Sequence, residues 1–246
     1  MPSSTALASS ALLCLLSLPA LAASDIDVIY GDEIAHKGEW SSELAARWSQ
    51  PARVGTLPAH TLWQAVGEVA YGVNDQLSIG VKLPLIRSDG HWRSEGGYAE
   101  IKYLAPHGAD GFYWGAEIEL GSVKVPGEER SAVAEAFPIF GYRAGRWHLI
   151  GNPGLEYSAE GEDRGWAFAP KAKLSYQLNE RHALGIEYHV DAGKFGDFAP
   201  RSKRSEMASL TWDTQVDHHP LSVALGHGAT HSSDRWALRI GIELDD

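Results

Sequence analysis

The residues best suited to chemistry lie near the end of the chain. His231 and Ser233 stand two apart, with Asp234 beside them and Glu243 further on. A serine hydroxyl becomes a nucleophile when a histidine takes its proton and a carboxylate orients that histidine. Such a set would hydrolyse an ester, here a lipid at the rim of the sheet that the following segment joins. The spacing also arises readily in polar loops, so His231 and Ser233 stand as an alternative and no catalytic residue is assigned. Of the 11 histidines, His218 and His219 are adjacent, and His227 and His231 are four apart. Metal sites need several convergent ligands held by a supporting layer of hydrogen bonds. No spacing here supplies that, so these are read as surface histidines. No metal or cofactor is assigned, since a phosphate loop, a cysteine pair and a dinucleotide glycine fingerprint are all missing from the sequence.

The remaining charged residues need elements to carry them, and those elements are strands. From Glu39 onward apolar and polar residues alternate with period two, the mark of a strand with unlike faces. Trp40, Leu44, Ala46 and Trp48 share one face, and Glu43 and Arg47 the other. About twelve such runs follow one another: 39–48, 62–73, 77–87, 97–104, 112–122, 132–143, 146–157, 165–178, 182–191, 206–214, 221–227 and 235–244. Most are long enough to cross a bilayer at a tilt, which takes roughly 9–11 residues. Tight turns at 74–76, 144–145 and 179–181 alternate with longer loops near 49–61, 88–96, 123–131, 158–164, 192–205 and 228–234; the connections 105–111 and 215–220 are middling. That rhythm predicts an all-β fold, an antiparallel transmembrane β-barrel of about twelve strands. Short turns would face the periplasm and long loops the exterior.

If the apolar faces meet lipid, the other faces line a lumen. Alternation assigns to it Glu43, Arg47, Gln64, Glu68, Lys82, Glu100, Lys102, Glu117, Glu119, His148, Asn152, Glu156, Lys171, Lys173, Glu187, His189, Asp191, Arg239 and Glu243. The two signs interleave between neighbouring strands, and Glu156, Lys171, Lys173 and Glu187 are placed to form a ladder. Charges so enclosed need partners. They either fill the lumen with ion pairs or line a narrow, mildly acidic conduit for cations and neutral solutes. Trp40, Trp48, Tyr71, Tyr103, Trp114, Trp147, Trp166, Tyr176, Tyr188, Trp212 and Trp236 fall on apolar faces, mostly near strand ends, as a membrane belt requires. Pro84, Pro138, Pro153 and Pro170 fall within strands, although a closed barrel has no edge to excuse a missing N–H. They predict a bulged or kinked wall, with a lateral opening for an apolar solute as its functional form and simple rim bulges as the alternative.

The first 22 residues carry no charged side chain and include the apolar run Ala11–Leu18, followed by Pro19-Ala20-Leu21-Ala22. They read as a secretory signal peptide cleaved after Ala22. Cys14, the only cysteine, would leave with it, so no disulfide can staple the exported chain. Residues 23–38 read as a periplasmic lead-in and 39–246 as the barrel. With 21 Lys and Arg against 32 Asp and Glu, the formal charge of −11 argues against a nucleic-acid surface.

Three stretches, Tyr71–Arg87, Phe140–His148 and Ser233–Trp236, resemble a largely uncharacterised family of proteobacterial outer-membrane proteins. That family is distantly similar to the outer-membrane channels associated with phenol meta-pathway degradation. The resemblance implies a barrel in the cell outer membrane, in contact with its lipid and delivered by the barrel-assembly machinery. It also implies passive passage of small solutes, hydrophobic or aromatic ones included. The chain departs from the aromatic last residue common in such barrels, ending in Leu244-Asp245-Asp246. The His-x-Ser spacing resembles that of lipid A deacylases, but Asp234 replaces their asparagine. The expected function is therefore a channel, with a rim lipid hydrolase or a closed structural barrel as alternatives.

Overall fold

Period-two alternation becomes one antiparallel sheet that closes on itself. The computed structural model describes residues 26, 28–52, 61–88, 90–94, 96–124, 130–160 and 164–244. The expected signal peptide and the last two residues lie outside the described residues. The strands are β1 (Trp40–Gln50), β2 (Leu62–Asn74), β3 (Leu77–Ser88), β4 (His91–Ser94), β5 (Gly96–Leu104), β6 (Gly111–Val123) and β7 (Ser131–Ala144). They continue with β8 (Trp147–Ser158), β9 (Gly165–Gln177), β10 (Ala183–Asp191), β11 (Ser205–Val216), β12 (His219–Gly228) and β13 (Trp236–Glu243). Each pairs with its sequence neighbours, save that β4 and β5 do not pair with each other, and β1 pairs with β13 to close the ring. β4 and β5 both pair with β3 and share one place in the wall, which makes twelve wall strands. Their junction needs Gly96: its φ is +146°, and a Cβ there would lie 1.9 Å from the Ser122 carbonyl oxygen.

Two connections differ from the sequence reading. The segment 88–96, expected as a loop, contains β4, which lengthens the wall as a hairpin with the end of β3. All four β4 residues are exposed, so nothing there alternates. The middling connection at 215–220 is a two-residue hairpin turn, with Asp217 and His218 both at positive φ (49° and 75°). His218 and His219 thus serve a tight turn.

The prolines interrupt the sheet in one place, between β7 and β8. Pro153 lies directly opposite Pro170 in the β8–β9 ladder. Between β7 and β8, pairing stops after Ala136↔Leu155 and resumes at Phe140↔Gly151, which puts Pro138 and Pro153 within the interruption. The Asn152 side-chain amide donates to the Pro138 carbonyl at 3.3 Å, satisfying an acceptor the ladder leaves out. Phe137 (0% exposed) and Asn152 (1%) back this gap from inside. It is a mid-wall interruption rather than a rim bulge, and it is sealed.

The wall is apolar outside and polar inside, the reverse of a water-soluble fold. Leu83, Ile101, Leu120, Leu149, Ile186 and Leu210 are each at least half exposed, while Lys82, Glu100, Glu117, Glu119 and Glu187 are buried. A small apolar cluster does sit within the barrel, made of Tyr30, Leu104, Tyr113, Phe137 and Ile139, with Val28 and Ile34 packed on it. Three of those seven residues precede β1. Residues 28–35, part of the segment 23–38 read from sequence as a periplasmic lead-in, therefore run within the barrel as a strap, and the exposed residues 36–38 lead from it to β1. The strap meets the wall at the short-turn mouth, where Lys37 bridges Gly72.

Candidate functional site

The lumen is built by register. Inward carboxylates fall side by side on four successive places in the wall: Glu100 faces Glu119, Glu119 faces Glu135, and Glu135 faces Glu156. A second row sets Glu243, Glu43 and Glu68 beside one another and ends at Lys82. Like charges directly opposite destabilise a sheet, so this arrangement needs cations nearby. Lys82 is the chief one. Its Nζ lies 2.8 Å from Glu117 and Glu119, 3.1 Å from Glu100 and 3.5 Å from Glu68, and it donates to the Tyr30 hydroxyl at 3.2 Å. Lys102 adds a longer contact of 3.8 Å to Glu117. Glu100, Glu117 and Glu119 converge closely enough to hold a metal ion, but the ammonium of Lys82 already occupies the point they share.

The opposite wall is organised around Glu187. Arg239 donates to both its oxygens at 2.9 and 2.8 Å, His189 Nε2 lies 3.2 Å away, and Lys173 Nζ lies at 3.5 Å while holding Asp213 at 2.8 Å. Nearer the long loops, Arg47 donates to Asp234 at 2.8 Å and to Gln64 at 3.2 Å. The two signs interleave on both walls, as Glu68 beside Lys82 and Lys102 beside Glu117 on one and Lys173 beside Glu187 on the other, with carboxylates in excess on the Lys82 side. The expected ladder forms between Lys173 and Glu187, whereas Glu156 faces Ala167 in register and not a lysine.

The strap lies between these walls. Tyr30 N–H donates to the Asn152 side-chain oxygen at 3.0 Å, and the Asn152 amide returns a bond to the Tyr30 carbonyl at 3.0 Å. The Tyr30 hydroxyl donates to Glu119 at 2.8 Å. Its ring lies 4.9 Å from that of Phe137, with the Lys82 ammonium 4.7 Å from its centroid. At the short-turn mouth Asp32 takes two bonds from Arg143, at 2.9 and 2.6 Å. Burial pushes the Asp32 carboxyl up, but the hydrogen bonds and charge of Arg143 outweigh it and hold the group below the ordinary aspartate range. Next to it the Tyr113 hydroxyl and His148 Nε2 are 2.7 Å apart. Between the strap and the Glu187 wall a cavity of about 540 Å³ opens at this mouth, lined among others by Tyr30, Glu43, Lys102, Lys173 and Arg239. Among the described residues, two smaller pockets of about 20 and 10 Å³ lie beside Lys82 and beside His189.

Each residue assigned to the lumen from sequence is on the inner face except Asp191, which is exposed at the end of β10 and accepts from the Gly193 N–H at 3.0 Å. Tyr30, Asp32, Glu135 and Asp213 were not singled out. For Tyr30 the signal existed: Ile26, Val28 and Tyr30 alternate in a segment with no hairpin partner. The eleven aromatics assigned to a belt all face outward, in two girdles. Trp40–Tyr71, Tyr103–Trp114 and Trp147–Tyr176 pair at 5.1, 5.7 and 4.7 Å near the short turns, with Trp212 against His182. Trp48, Trp166, Tyr188 and Trp236 stand near the long loops, Trp166 against Tyr157 at 5.1 Å.

The hydrolase constellation does not assemble. Ser233 is 3% exposed, and its hydroxyl donates to the Glu206 carbonyl at 2.7 Å while accepting the Glu206 N–H at 2.8 Å. The third neighbour of Ser233 is Thr230 at 2.6 Å, and Asp234 is held by Arg47. His231 is exposed and takes no part. Ser233 is a loop clasp, its hydroxyl taken up by the Glu206 backbone and Thr230.

Among solved structures, the chain is similar to a COG4313 outer membrane channel from Pseudomonas putida F1, with a TM-score of 0.67 at 13% identity over 89% of this chain and 100% of that one. The fold is that of an outer-membrane β-barrel. The barrel is also similar to the KdgM porin, at a TM-score of 0.58 and 7% identity over 82% of this chain and 97% of that one. A second KdgM structure, in complex with disordered oligogalacturonate, gives 0.56. No family model matches the chain, and no curated protein matches it by sequence.

Proposed function

We propose that this barrel is a passive channel for small solutes across the bacterial outer membrane, with cations and neutral, weakly polar or aromatic molecules favoured over anions. The observation that carries this reading is the 540 Å³ cavity lined by charged side chains inside a wall whose outer face is apolar. A barrel that merely filled its lumen would have no reason to keep that volume open at one mouth. The excess of carboxylates around Lys82 and Lys102 sets the preference for cations. Likeness of fold to a channel and to a porin supports the assignment. In this reading the aromatic girdles meet the lipid headgroups, the long loops face outward and the short-turn mouth opens to the periplasm. Insertion would depend on the barrel-assembly machinery.

The test is single-channel recording in planar bilayers, with a Lys171→Ala/Lys173→Ala variant beside the natural chain. Discrete steps are expected, with a stronger preference for cations in the variant, since two ammonium groups leave the inner face. Folded, inserted protein that never conducts in either form would refute the channel.

A further inference from the structure

A carboxylate stands on the outward face of the wall, where an apolar side chain is expected. On β11 Ala208, Leu210 and Trp212 are exposed on that face, and the alternation puts Glu206 in line with them. A charge in such a place needs partners. The Tyr188 hydroxyl donates to Glu206 from the neighbouring β10, and Arg201 Nε lies 3.3 Å away. Glu206 is buried, whereas the Arg201 side chain beside it is 73% exposed.

The loop after β10 brings Arg201 there. It runs back along β9: Phe195 N–H donates to the Trp166 carbonyl at 2.7 Å, and Ala199 N–H to the Ala192 carbonyl at 3.0 Å. Phe195 and Phe198 pack on Phe168, with ring centroids 6.4 and 5.9 Å from it and 5.9 Å from each other. Both loop rings stay largely exposed. The chain then makes one 3-10 turn, Arg201–Lys203, clasped from the 228–234 loop. There Ser232 donates to the Ser202 carbonyl at 3.0 Å, and Thr230 to the Arg204 carbonyl at 2.6 Å.

The charge of this loop sets it apart. Residues 192–205 hold Lys194, Arg201, Lys203 and Arg204 against Asp197 alone, in a chain of formal charge −11. Loops 88–96, 158–164 and 228–234 each hold more carboxylates than Lys and Arg. Lys194 bridges Ala167 and shares its inward face, which leaves three cations following the aromatic rings. Guanidinium and ammonium groups bind phosphate by charge-assisted hydrogen bonds, and exposed rings offer acyl chains an apolar seat. Several cations in so short a span suit a lipid with more than one phosphate better than a phospholipid with one.

We propose that this corner, Phe168, Phe195 and Phe198 with Arg201, Lys203 and Arg204, binds lipid A, the phosphorylated glycolipid of the outer leaflet. A sugar phosphate meets the cations and an acyl chain lies on the rings. The inference rests on the orientation in the channel reading, with long loops outward, and does not require the lumen to conduct.

Native mass spectrometry of the purified barrel tests it, with diphosphoryl lipid A, monophosphoryl lipid A or phosphatidylglycerol added. A saturable adduct with diphosphoryl lipid A is expected, and weaker ones with the other two. Arg201→Gln/Lys203→Gln should weaken it by about tenfold or more, the worth of one hydrogen bond to a charged group. Phe195→Ala/Phe198→Ala should weaken it as well. Equal binding by the natural chain and both variants, or equal affinity for phosphatidylglycerol, would overturn the site. Should the arginine variant fail to fold for want of a partner to Glu206, Lys203→Gln and the phenylalanine variant still decide. Ser202→Cys in a Cys14→Ser background, treated on intact cells with a membrane-impermeant maleimide, reads the orientation. Labelling is expected; folded protein that stays unlabelled would overturn both the orientation and the site. A natural chain that conducts in planar bilayers but takes up no lipid A would remove the site and leave the channel standing.

Discussion

Lys82→Met offers the most searching test of how the lumen is held together. The substitution keeps a side chain of similar length and removes only the charge that four carboxylates share. At an effective dielectric constant near 20, one 2.8 Å contact between unit charges amounts to about 6 kcal/mol of attraction, by 332/(εr). Lys82 makes two contacts of that length and two longer ones, at 3.1 and 3.5 Å. The gross attraction is never recovered in full, because burying the ammonium opposes it and the carboxylates repel one another. Removing one partner of a buried ion pair costs about 3–5 kcal/mol, and that is the expected loss for Lys82→Met. The assay is equilibrium urea unfolding of the barrel in detergent micelles, read by tryptophan fluorescence. The diagnostic arm adds Glu117→Gln and Glu119→Gln. In the natural background these should destabilise, whereas on top of Lys82→Met they should restore stability, because the charges left behind repel. A loss below about 1 kcal/mol, or carboxylate substitutions that cost the same in both backgrounds, would refute the view that Lys82 is the cation on which the row depends.

Two further outcomes follow from single sites. Gly141→Ala should destabilise by about 1–3 kcal/mol by overpacking, since its Cβ would fall 1.9 Å from Tyr113 Cζ and that ring is pinned by His148; Gly151→Ala, with nothing within 4 Å, should be neutral in the same unfolding assay. Because Arg143 holds Asp32 below its ordinary value, the unfolded chain takes up the proton first as pH falls. The stability advantage of the natural chain over Asp32→Asn should therefore be fully present above about pH 4 and vanish as pH drops through the depressed folded value. An advantage that is the same at pH 7 and pH 3 would count against the Asp32–Arg143 pair as its source.

The wall was legible because a strand exposed to unlike media on its two faces must alternate, and residues such as Ile79, Val81 and Leu83 against Ser78, Gly80 and Lys82 do so without exception. β4 was not, since all four of its residues are exposed and nothing distinguishes its faces. Alternation also put Lys82 and Glu119 inside, but it could not say that they touch. Their contact depends on how the wall curves across the one intervening strand, β5, and on the register offsets on either side of it, which residue type does not encode. The strap was missed for a related reason. Tyr30 is an ordinary half-apolar residue until Phe137, Asn152 and Glu119, all far away in sequence, converge on it. The hydrolase alternative failed on similar ground, because a two-residue spacing in a loop fixes no geometry and Ser233 found backbone partners first.

The outward face has a consequence for how such a chain changes over time. Lipid tails have no shape to match, so Leu83, Ile101 or Leu210 can be exchanged for almost any apolar neighbour without leaving a hole. Inside, by contrast, Tyr113 fills the slot above Gly141 and Phe137 lies where a Cβ on Gly154 would stand 2.9 Å away. Half of every strand is therefore nearly free to drift while the architecture stays put. Agreement in fold at 13% and 7% identity, with no family model and no curated protein matching by sequence, is what a wall specified by polarity alone should leave behind.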